Sequence, residues 1–334
     1  MLTKLYETII KYIKKEYKFL ITLLIILVLT TIKLPYYIDM PGGIINISDR
    51  IKIDDKTFTG TLNFAYVSET QATIPMYIIS KINKNWDIIK KEEIILENET
   101  EQEVKFRDEL SLKEAVSNAL YAGMKEAQED FKVTNNKIYI TYIYEQAQTD
   151  LKIGDQILEI NNKKIENKED LKDVTNYEIG TNIKIKVLNN NKEYIRNAKI
   201  IELDNRKIIG VAIEELFDIE SNHNIDINYH KRESGPSGGM MLALATYNYL
   251  TDNDLTKGKK IVGTGTIDTY GNVGEIGGVK YKLIGAVKNK ADIFLVPKEN
   301  YEEAIKIKEE KKYDIKIVSV STLKEAIDAL KNYN

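Results

Sequence analysis

The sequence predicts a multidomain α+β protein that begins with a membrane-spanning helix, and three observations support this fold class. The 334 residues exceed the usual size of one domain. An uncharged apolar run occupies Phe19 to Ile32, and after it short alternating strand patterns give way to helical stripes. We therefore expect five regions: a tail over 1–18, a transmembrane helix over 19–37, a β-rich segment over 38–132, a β-sandwich or barrel over 133–203 and an α/β domain over 204–334.

The composition narrows the chemistry that this chain can perform. Its 48 Lys and Arg residues balance 51 Asp and Glu residues and form no long basic block, which argues against a nucleic-acid partner. The lack of cysteine excludes disulfides, thiolate metal sites and a cysteine nucleophile. His223 and His230 are expected in exposed polar loops, so neither a metal site nor a Ser-His-Asp relay is predicted. No P-loop motif occurs, so this chain is not expected to bind ATP.

The apolar run near the N-terminus has the properties of a membrane anchor. From Phe19 to Tyr37 it comprises 19 residues, which gives a helix of about 28 Å, close to the thickness of a bilayer core. A buried core helix and a cleaved signal peptide are the alternatives, but neither a polar face nor a small-residue cleavage site accompanies the run. Lysines outnumber glutamates before it, so the positive-inside rule places the N-terminus in the cytoplasm and everything after Tyr37 outside the cytoplasmic membrane.

The segment after the anchor is predicted to mix strands with one helix. A Pro-Gly-Gly sequence at 41–43 breaks the chain, and alternating runs over 44–68 indicate strands. Ser111 and Glu114 have the spacing of a capping box ahead of an apolar helical stripe, so a helix is expected to begin there. The charged stretch 97–108 is expected to form a solvated loop.

The first β-rich domain resembles a PDZ domain. The resemblance is carried by the stretch LKIGDQILEINN, residues 151–162, and by the order of the strands around it. Asn162 stands where the family usually has glycine, and the glycine of the family's carboxylate-binding loop is missing before the first strand. The resemblance implies that an extended peptide adds as a strand along the edge formed by Ile138, Tyr139 and Ile140.

A first chemical motif, ESGPSGG at residues 233–239, precedes an apolar helix. A serine at the first turn of a helix often serves only as its N-cap, and this is the alternative for Ser237. The surrounding glycines favour another role, because close backbone approach and unpaired N–H groups at a helix start suit an oxyanion. Ser237 is therefore a candidate nucleophile.

A second motif, GTGTIDTYGNVGEIGGVK, occupies residues 263–280 and runs into another helix. Lys280 shares a helix face with apolar residues at i+3, i+4 and i+7, whereas Lys282 lies about 200° around the helix and is expected to point elsewhere. Burial disfavours an ammonium ion, so Lys280 is a candidate general base. The alternative is that its ammonium group extends into solvent.

Together the two motifs resemble the proteolytic domain of Lon-type serine peptidases. GPSGG corresponds to the family's GPSAG motif, with Gly238 in place of the usual alanine. The resemblance implies a catalytic dyad of Ser237 and Lys280, 43 residues apart, with Thr264 helping to orient the lysine. Backbone N–H groups at Gly235 and Ser237 are expected to stabilise the oxyanion.

The combination of anchor, PDZ-like region and protease motifs resembles the membrane-anchored PDZ-Lon peptidases of bacteria. It implies an ATP-independent endopeptidase without a cofactor, whose substrates are extended segments of secreted or membrane-proximal polypeptides. Residues 38–132 would pack with the protease, and the PDZ region would recruit substrate or gate the site. The rival function is a catalytically silent PDZ scaffold at the membrane, and a peptidase that cleaves its own chain is a third. The oligomeric state and the natural substrate do not follow from the sequence.

Overall fold

A computed structural model of the chain describes residues 2–95, 99–231 and 233–333. In these residues helices and strands alternate along the chain, in agreement with the predicted α+β class. The α-helices are α1 (Leu2–Thr31), α2 (Ile74–Ser80), α3 (Lys91–Ile94), α4 (Glu101–Glu126), α5 (Gly239–Leu250), α6 (Val279–Lys288), α7 (Tyr301–Lys311) and α8 (Leu323–Lys331). Short 3-10 helices occupy Ile47–Asp49, Lys168–Asn176 and Lys298–Asn300.

The strands range from two to fourteen residues. They are β1 (Lys33–Asn46), β2 (Ile51–Ile53), β3 (Thr61–Thr73), β4 (Asp87–Lys90), β5 (Phe131–Ile143), β6 (Gln156–Ile160), β7 (Lys163–Lys164), β8 (Asn182–Asn189), β9 (Lys192–Lys199), β10 (Ile201–Leu203), β11 (Arg206–Ile208), β12 (Val211–Ser221), β13 (Ile225–Ile227), β14 (Lys260–Gly263), β15 (Thr266–Ile267), β16 (Val273–Gly274), β17 (Ile293–Pro297) and β18 (Lys316–Val320).

The chain forms two compact units, and the smaller one comprises the residues up to Pro41 together with Val67–Ile94. Strands β1 and β4 pair antiparallel in this unit, with Tyr36 opposite Lys90. Helix α2 has a proline in its first turn, where a missing N–H group breaks no helical hydrogen bond.

The structure corrects the predicted membrane-spanning helix over 19–37. Helix α1 ends at Thr31 and β1 begins at Lys33, so only the first thirteen residues of the apolar run are helical. They span about 20 Å, less than the roughly 30 Å of a bilayer core, and the preceding turns of α1 carry charged residues. Within the described residues, none of the helices is both long enough and apolar enough to cross a membrane.

The larger unit, formed by Gly42–Tyr66 and the chain from Ile95 onward, contains a parallel sheet in the order β18-β17-β14-β3. Strand β14 lies between β3 and β17, so the segment before residue 132 contributes a strand to the sheet of the C-terminal region. Thr264 directly follows β14. The carboxyl end of a parallel strand is the usual place for a ligand in such sheets.

A second sheet in this unit is antiparallel, with strand order β12-β5-β6-β8-β9. Strand β5 has a partner on each side: Tyr139 lies opposite Glu214 of β12 and opposite Gln156 of β6. The predicted peptide-binding edge at Ile138, Tyr139 and Ile140 is therefore not free. Strand β12 occupies it, and this strand lies beyond the boundary predicted at residue 203.

Helix α4 begins ten residues before the predicted start. Thr100 is its N-cap and forms a capping box with Glu103, in which the Glu103 N–H donates to Thr100 Oγ1 (3.3 Å) and the Thr100 N–H donates to Glu103 Oε2 (2.8 Å). Ser111 lies inside the helix, where its hydroxyl donates to Glu214. Of the stretch 97–108 that was predicted to be a loop, residues 101–108 are helical, and residues 97 and 98 lie outside the described residues.

Candidate active site

Ser237 lies on a turn that joins the first chemical motif to helix α5. The residue that caps α5 is Gly238, which makes no side-chain hydrogen bond to the helix, so the N-cap interpretation of Ser237 is wrong. Ser237 is half-buried. Gly235, two residues earlier, has a φ of 82°, a backbone conformation that favours glycine.

Two backbone contacts fix the turn on either side of Ser237. The carbonyl of Ser237 accepts hydrogen bonds from the Gly265 N–H (2.8 Å) and from Thr264 Oγ1 (3.1 Å). The Gly235 N–H donates to the carbonyl of Asp108 on α4 (3.1 Å). The structure thus brings Thr264, which is fully buried, directly against the backbone of Ser237. The Thr264 oxygen keeps lone pairs with which it can accept a further hydrogen bond.

The donors available to an oxyanion differ from those predicted. The Gly235 N–H is already occupied by Asp108, so Gly235 does not offer a free donor. The N–H groups of Ser237 and Gly238 donate to no described residue. These two consecutive N–H groups lie at the start of α5, where backbone N–H groups lack a partner within the helix. The motif spacing does not distinguish the Gly238 N–H from that of Gly235, so Gly238 was not predicted as a donor.

The two lysines of α6 lie in different environments, and that of Lys282 is opposite to the prediction. Lys282 is 3% exposed, and it shares a helix face with buried Val279 three residues before it and buried Ala286 four residues after it. Burial lowers the pKa of Lys282 to about 8. Lys280 is half-buried, and its Nζ lies 5.3 Å from the centroid of the Tyr281 ring. The expectation that Lys282 points away from the apolar interior is wrong.

Glu233, four residues before Ser237, forms an ion pair with Arg50. Glu233 accepts two hydrogen bonds from Arg50 Nε, at 2.8 and 2.9 Å, and one from an Arg50 guanidinium NH2 group at 2.5 Å. Both side chains are largely buried. Glu233 is thereby occupied as an ion-pair partner, which disfavours it as a free base.

Solved structures that match parts of the chain include two domains from Listeria. The PDZ domain of an SdrC-like protein from Listeria monocytogenes is 21% identical, covers 25% of this chain and 92% of that chain, and gives a TM-score of 0.23. The second domain of another Listeria protein is 24% identical, covers 26% of this chain and 88% of that chain, and gives a TM-score of 0.20. The PDZ fold of residues 133–203 stays a prediction.

Curated relatives are Lon proteases. That of Campylobacter concisus is 36% identical over 147 residues, which cover 39% of this chain and 17% of the relative. Lon protease 2 of Borreliella burgdorferi is 30% identical over 117 residues, or 34% of this chain and 14% of the relative. That of Haemophilus influenzae is 33% identical over 119 residues, or 34% and 15%. The chain therefore spans less than a fifth of the length of these relatives.

A family model covers the part of the chain that contains the candidate site. Residues 215–332 match the Lon protease (S16) C-terminal proteolytic domain. The match includes Ser237, Thr264 and both lysines of α6, and it ends just after α8. Residues 215–332 are thus similar to the proteolytic domain of Lon proteases.

Proposed function

We propose that this chain is a serine peptidase in which Ser237 is the nucleophile and Lys282 the general base. The observation that carries the proposal is the burial of Lys282 within the region that is similar to a Lon proteolytic domain. Lys282 is proposed because burial disfavours the ammonium form of its amine, and Lys280, which the sequence resemblance implies, stays the alternative base.

The proposed reaction uses only groups of this chain. The neutral amine of Lys282 accepts the proton of the Ser237 hydroxyl while Ser237 Oγ bonds to the scissile carbonyl carbon. The ammonium ion then donates that proton to the leaving amine, and water hydrolyses the acyl-enzyme with the amine again acting as base. The N–H groups of Ser237 and Gly238, which donate to no described residue, are the proposed donors to the oxyanion.

Thr264 is proposed to hold this arrangement together. Its hydroxyl donates to the carbonyl of Ser237, which restrains the turn that carries the nucleophile. Its remaining lone pairs suit the ammonium ion that forms during the reaction. Thr264 is therefore a positioning residue, in keeping with the role implied by the sequence resemblance.

Extended or flexible polypeptide segments are the proposed substrates. The 334 residues contain no P-loop motif with which this chain could drive unfolding, so its hydrolysis of peptide bonds is proposed to be independent of ATP. If the antiparallel sheet recruits substrate, it must use a surface other than the edge of β5, because β6 and β12 cover that strand on both sides.

Replacement of the nucleophile tests the proposal. We expect Ser237→Ala to remove peptidase activity while the far-UV circular dichroism spectrum is unchanged, because one half-buried hydroxyl adds little stability. Ser234→Ala, which changes an exposed serine of the same loop, is the matched control and should stay active. A serine-reactive phosphonate should label the wild type and not Ser237→Ala. Activity above about a tenth of wild type in Ser237→Ala would contradict Ser237 as the nucleophile, whereas a wild type that neither cleaves peptides nor is labelled would favour the silent scaffold.

A further inference from the structure

Strand β13 has an open edge whose backbone groups pair with no described residue. It pairs with β2 on one side, and within the described residues no strand lies on its other side. The Asp54 N–H donates to the carbonyl of Asn224 (3.0 Å) and the Asn228 N–H donates to that of Arg50 (2.8 Å). Even-numbered residues of this segment therefore direct their backbone groups toward β2. Ile225 must direct its N–H and C=O away from β2, as must Ile227.

This edge borders a groove that reaches Glu233, which is close in sequence to Ser237. Ile225 and Ile227 line a cavity of about 890 Å³, and Leu112 and Val116 of α4 also line it. The same helix holds the nucleophile turn through the bond from Gly235 to Asp108. The chain that follows β13 forms the end of the groove up to Glu233, four residues before the nucleophile.

Among the described residues, the groove lining leaves two lysines and one carboxylate, that of Asp218, without an ion-pair partner, and the Asn135 amide donates to Asp218 (2.8 Å). Lys113 and Lys231 are exposed at its rim, and neither makes an ion pair with a described residue. Two acidic side chains of the lining already have partners: Glu109 pairs with Lys105 at 3.5 Å, and Glu233 is held by an arginine. An acidic side chain bound here would meet lysines whose charge is not yet compensated.

We propose that an extended segment of the polypeptide substrate binds in this groove as an added strand on β13, with acidic side chains near Lys113 and Lys231. Unpaired N–H and C=O groups on a strand edge bind the backbone of any extended peptide, and the apolar wall of α4 accepts its side chains. The inference rests on the proposed function, since it identifies how that site holds its substrate. It explains why extended polypeptides suit this site better than folded ones.

A backbone scan tests the added strand. The probe is a fluorescent ten-residue peptide that the wild type cleaves, with leucines alternating with glutamates, synthesised with one N-methyl group at each position in turn. Binding to full-length Ser237→Ala protein is measured by fluorescence anisotropy. An added strand directs its N–H groups to its neighbour at every second residue, so we expect about tenfold weaker binding at alternate positions and little change between them. Equal effects at all positions would overturn the inference.

A proline on the strand edge supplies the reciprocal test. Ile227→Pro removes an N–H that points away from β2, so the β2–β13 pair should survive while the probe binds about tenfold more weakly. Asp226→Ala, whose backbone groups face β2, is the control and should bind within about twofold of the parent. If Ile227→Pro does not fold, the scan alone decides.

The outcomes separate this inference from the proposed function. If the wild type cleaves the probe and the scan shows no alternation, the strand addition on β13 is wrong and the peptidase stands. If the wild type cleaves no peptide, the peptidase proposal fails first. A probe with lysines in place of glutamates should bind at least about threefold more weakly, and equal binding would contradict the proposed role of Lys113 and Lys231.

Discussion

Two lysines separated by one residue on α6 differ in their surroundings, and this difference is the reason for proposing Lys282 as the base. Lys282 is enclosed in the protein, and its pKa is lowered to about 8 by burial. An amine with that pKa is neutral in about one molecule in ten at pH 7, against fewer than one in a thousand for an ordinary lysine. Lys280 lies nearer the surface, beside the Tyr281 ring.

Substitution by arginine distinguishes the two lysines. We expect Lys282→Arg to lower kcat/KM for a peptide substrate by at least about a hundredfold, because a guanidinium does not deprotonate and cannot accept the serine proton. Lys280→Arg, the matched control, should keep kcat/KM within about threefold of wild type. The opposite result, with Lys280→Arg inactive and Lys282→Arg active, would return the role of base to Lys280.

The pH dependence of the reaction follows from the same pKa. The catalytic form of Lys282 is its neutral amine, so kcat/KM should rise with pH and level off above about pH 8. The profile is measured on the free enzyme with a peptide that has no titratable group between pH 6 and 10. A profile that stays flat from pH 6 to 9 would contradict a lysine base with this pKa.

The sequence could indicate a buried lysine in this helix but not which lysine. Residues 281–286 of α6 are all buried, so the helix has almost no polar face. The sequence therefore does not predict which side of the helix is directed toward the core. The spacing of apolar residues fits both positions: Lys280 lies three residues before Leu283, and Lys282 lies three after Val279. Ser237 and Thr264 could be selected together because their motifs are short, and the structure does bring them together.

At the scale of elements, the turn that carries the nucleophile depends on a contact with a distant part of the chain. Arg50 follows the 3-10 helix Ile47–Asp49 and binds Glu233 with three hydrogen bonds across 183 positions of sequence. The Ser237 carbonyl is anchored separately at Thr264 and Gly265. The turn is therefore held both before and after the bend at which the nucleophile lies.

Removal of Arg50 should affect the reaction more than substrate binding. Arg50→Ala leaves the Glu233 carboxylate buried without its partner, which costs about 3–5 kcal/mol of stability, and it frees the start of the nucleophile turn. We expect kcat to fall by about tenfold or more while KM changes little, because misplacement of the nucleophile acts on the chemical step.

The reversed ion pair is the control for Arg50→Ala. The double variant Arg50→Glu with Glu233→Arg should recover part of the lost kcat and part of the stability, whereas either single reversal should not. Unchanged kcat in a folded Arg50→Ala protein, measured beside its urea unfolding curve, would limit this pair to a purely structural role.

The limits of prediction at this scale come from patterns that occur more than once. Thr100 with Glu103 and Ser111 with Glu114 both have the spacing of a capping box, and only the first pair caps α4. The start of α4 at Glu101 was not predicted because a run of charged residues can form either an exposed helix face or a loop. In the same way, the apolar run after Phe19 did not reveal that the chain turns to a strand at Lys33.

Over the whole larger unit, strand β12 links the antiparallel sheet to the candidate active site. It pairs with β5 along its length, contacts α4 and lines the groove beside β13. The residues paired between β5 and β12 are about 70 to 90 positions apart in sequence. Local sequence patterns do not reveal such distant partners. The β-rich domain was therefore predicted to end at residue 203, before β12, although β12 belongs to its sheet.

A cluster of polar side chains lies where this sheet meets α4. Lys168 binds Glu114 (2.5 Å), and the Glu114 carboxylate accepts the N–H of Glu215 (3.2 Å). Glu214 accepts the Ser111 hydroxyl with one oxygen, and its other oxygen is buried without a hydrogen-bond partner in the described part of the chain. Burial raises the pKa of Glu214 to about 7, and the neighbouring Glu114 carboxylate acts in the same direction.

Glu214 should therefore make the unit less stable as the pH rises. The folded-state pKa of Glu214 lies above the ordinary value of 4.5, so its contribution to stability is complete below about pH 4.5 and is lost as the pH rises toward 7. Glu214→Gln keeps the side-chain size and the acceptor for Ser111 but cannot ionise. We expect the free energy of unfolding of this variant to exceed that of the wild type by about 1–2 kcal/mol at pH 8, a value that allows for partial exposure to solvent. At pH 5 the two free energies should match. Urea unfolding at both pH values measures the difference. The control is Glu220→Gln, at an exposed position of β12, which should change the free energy of unfolding by less than about 0.5 kcal/mol at either pH. An equal effect of Glu214→Gln at pH 5 and pH 8 would mean that this carboxyl group does not titrate at the junction between the sheet and α4.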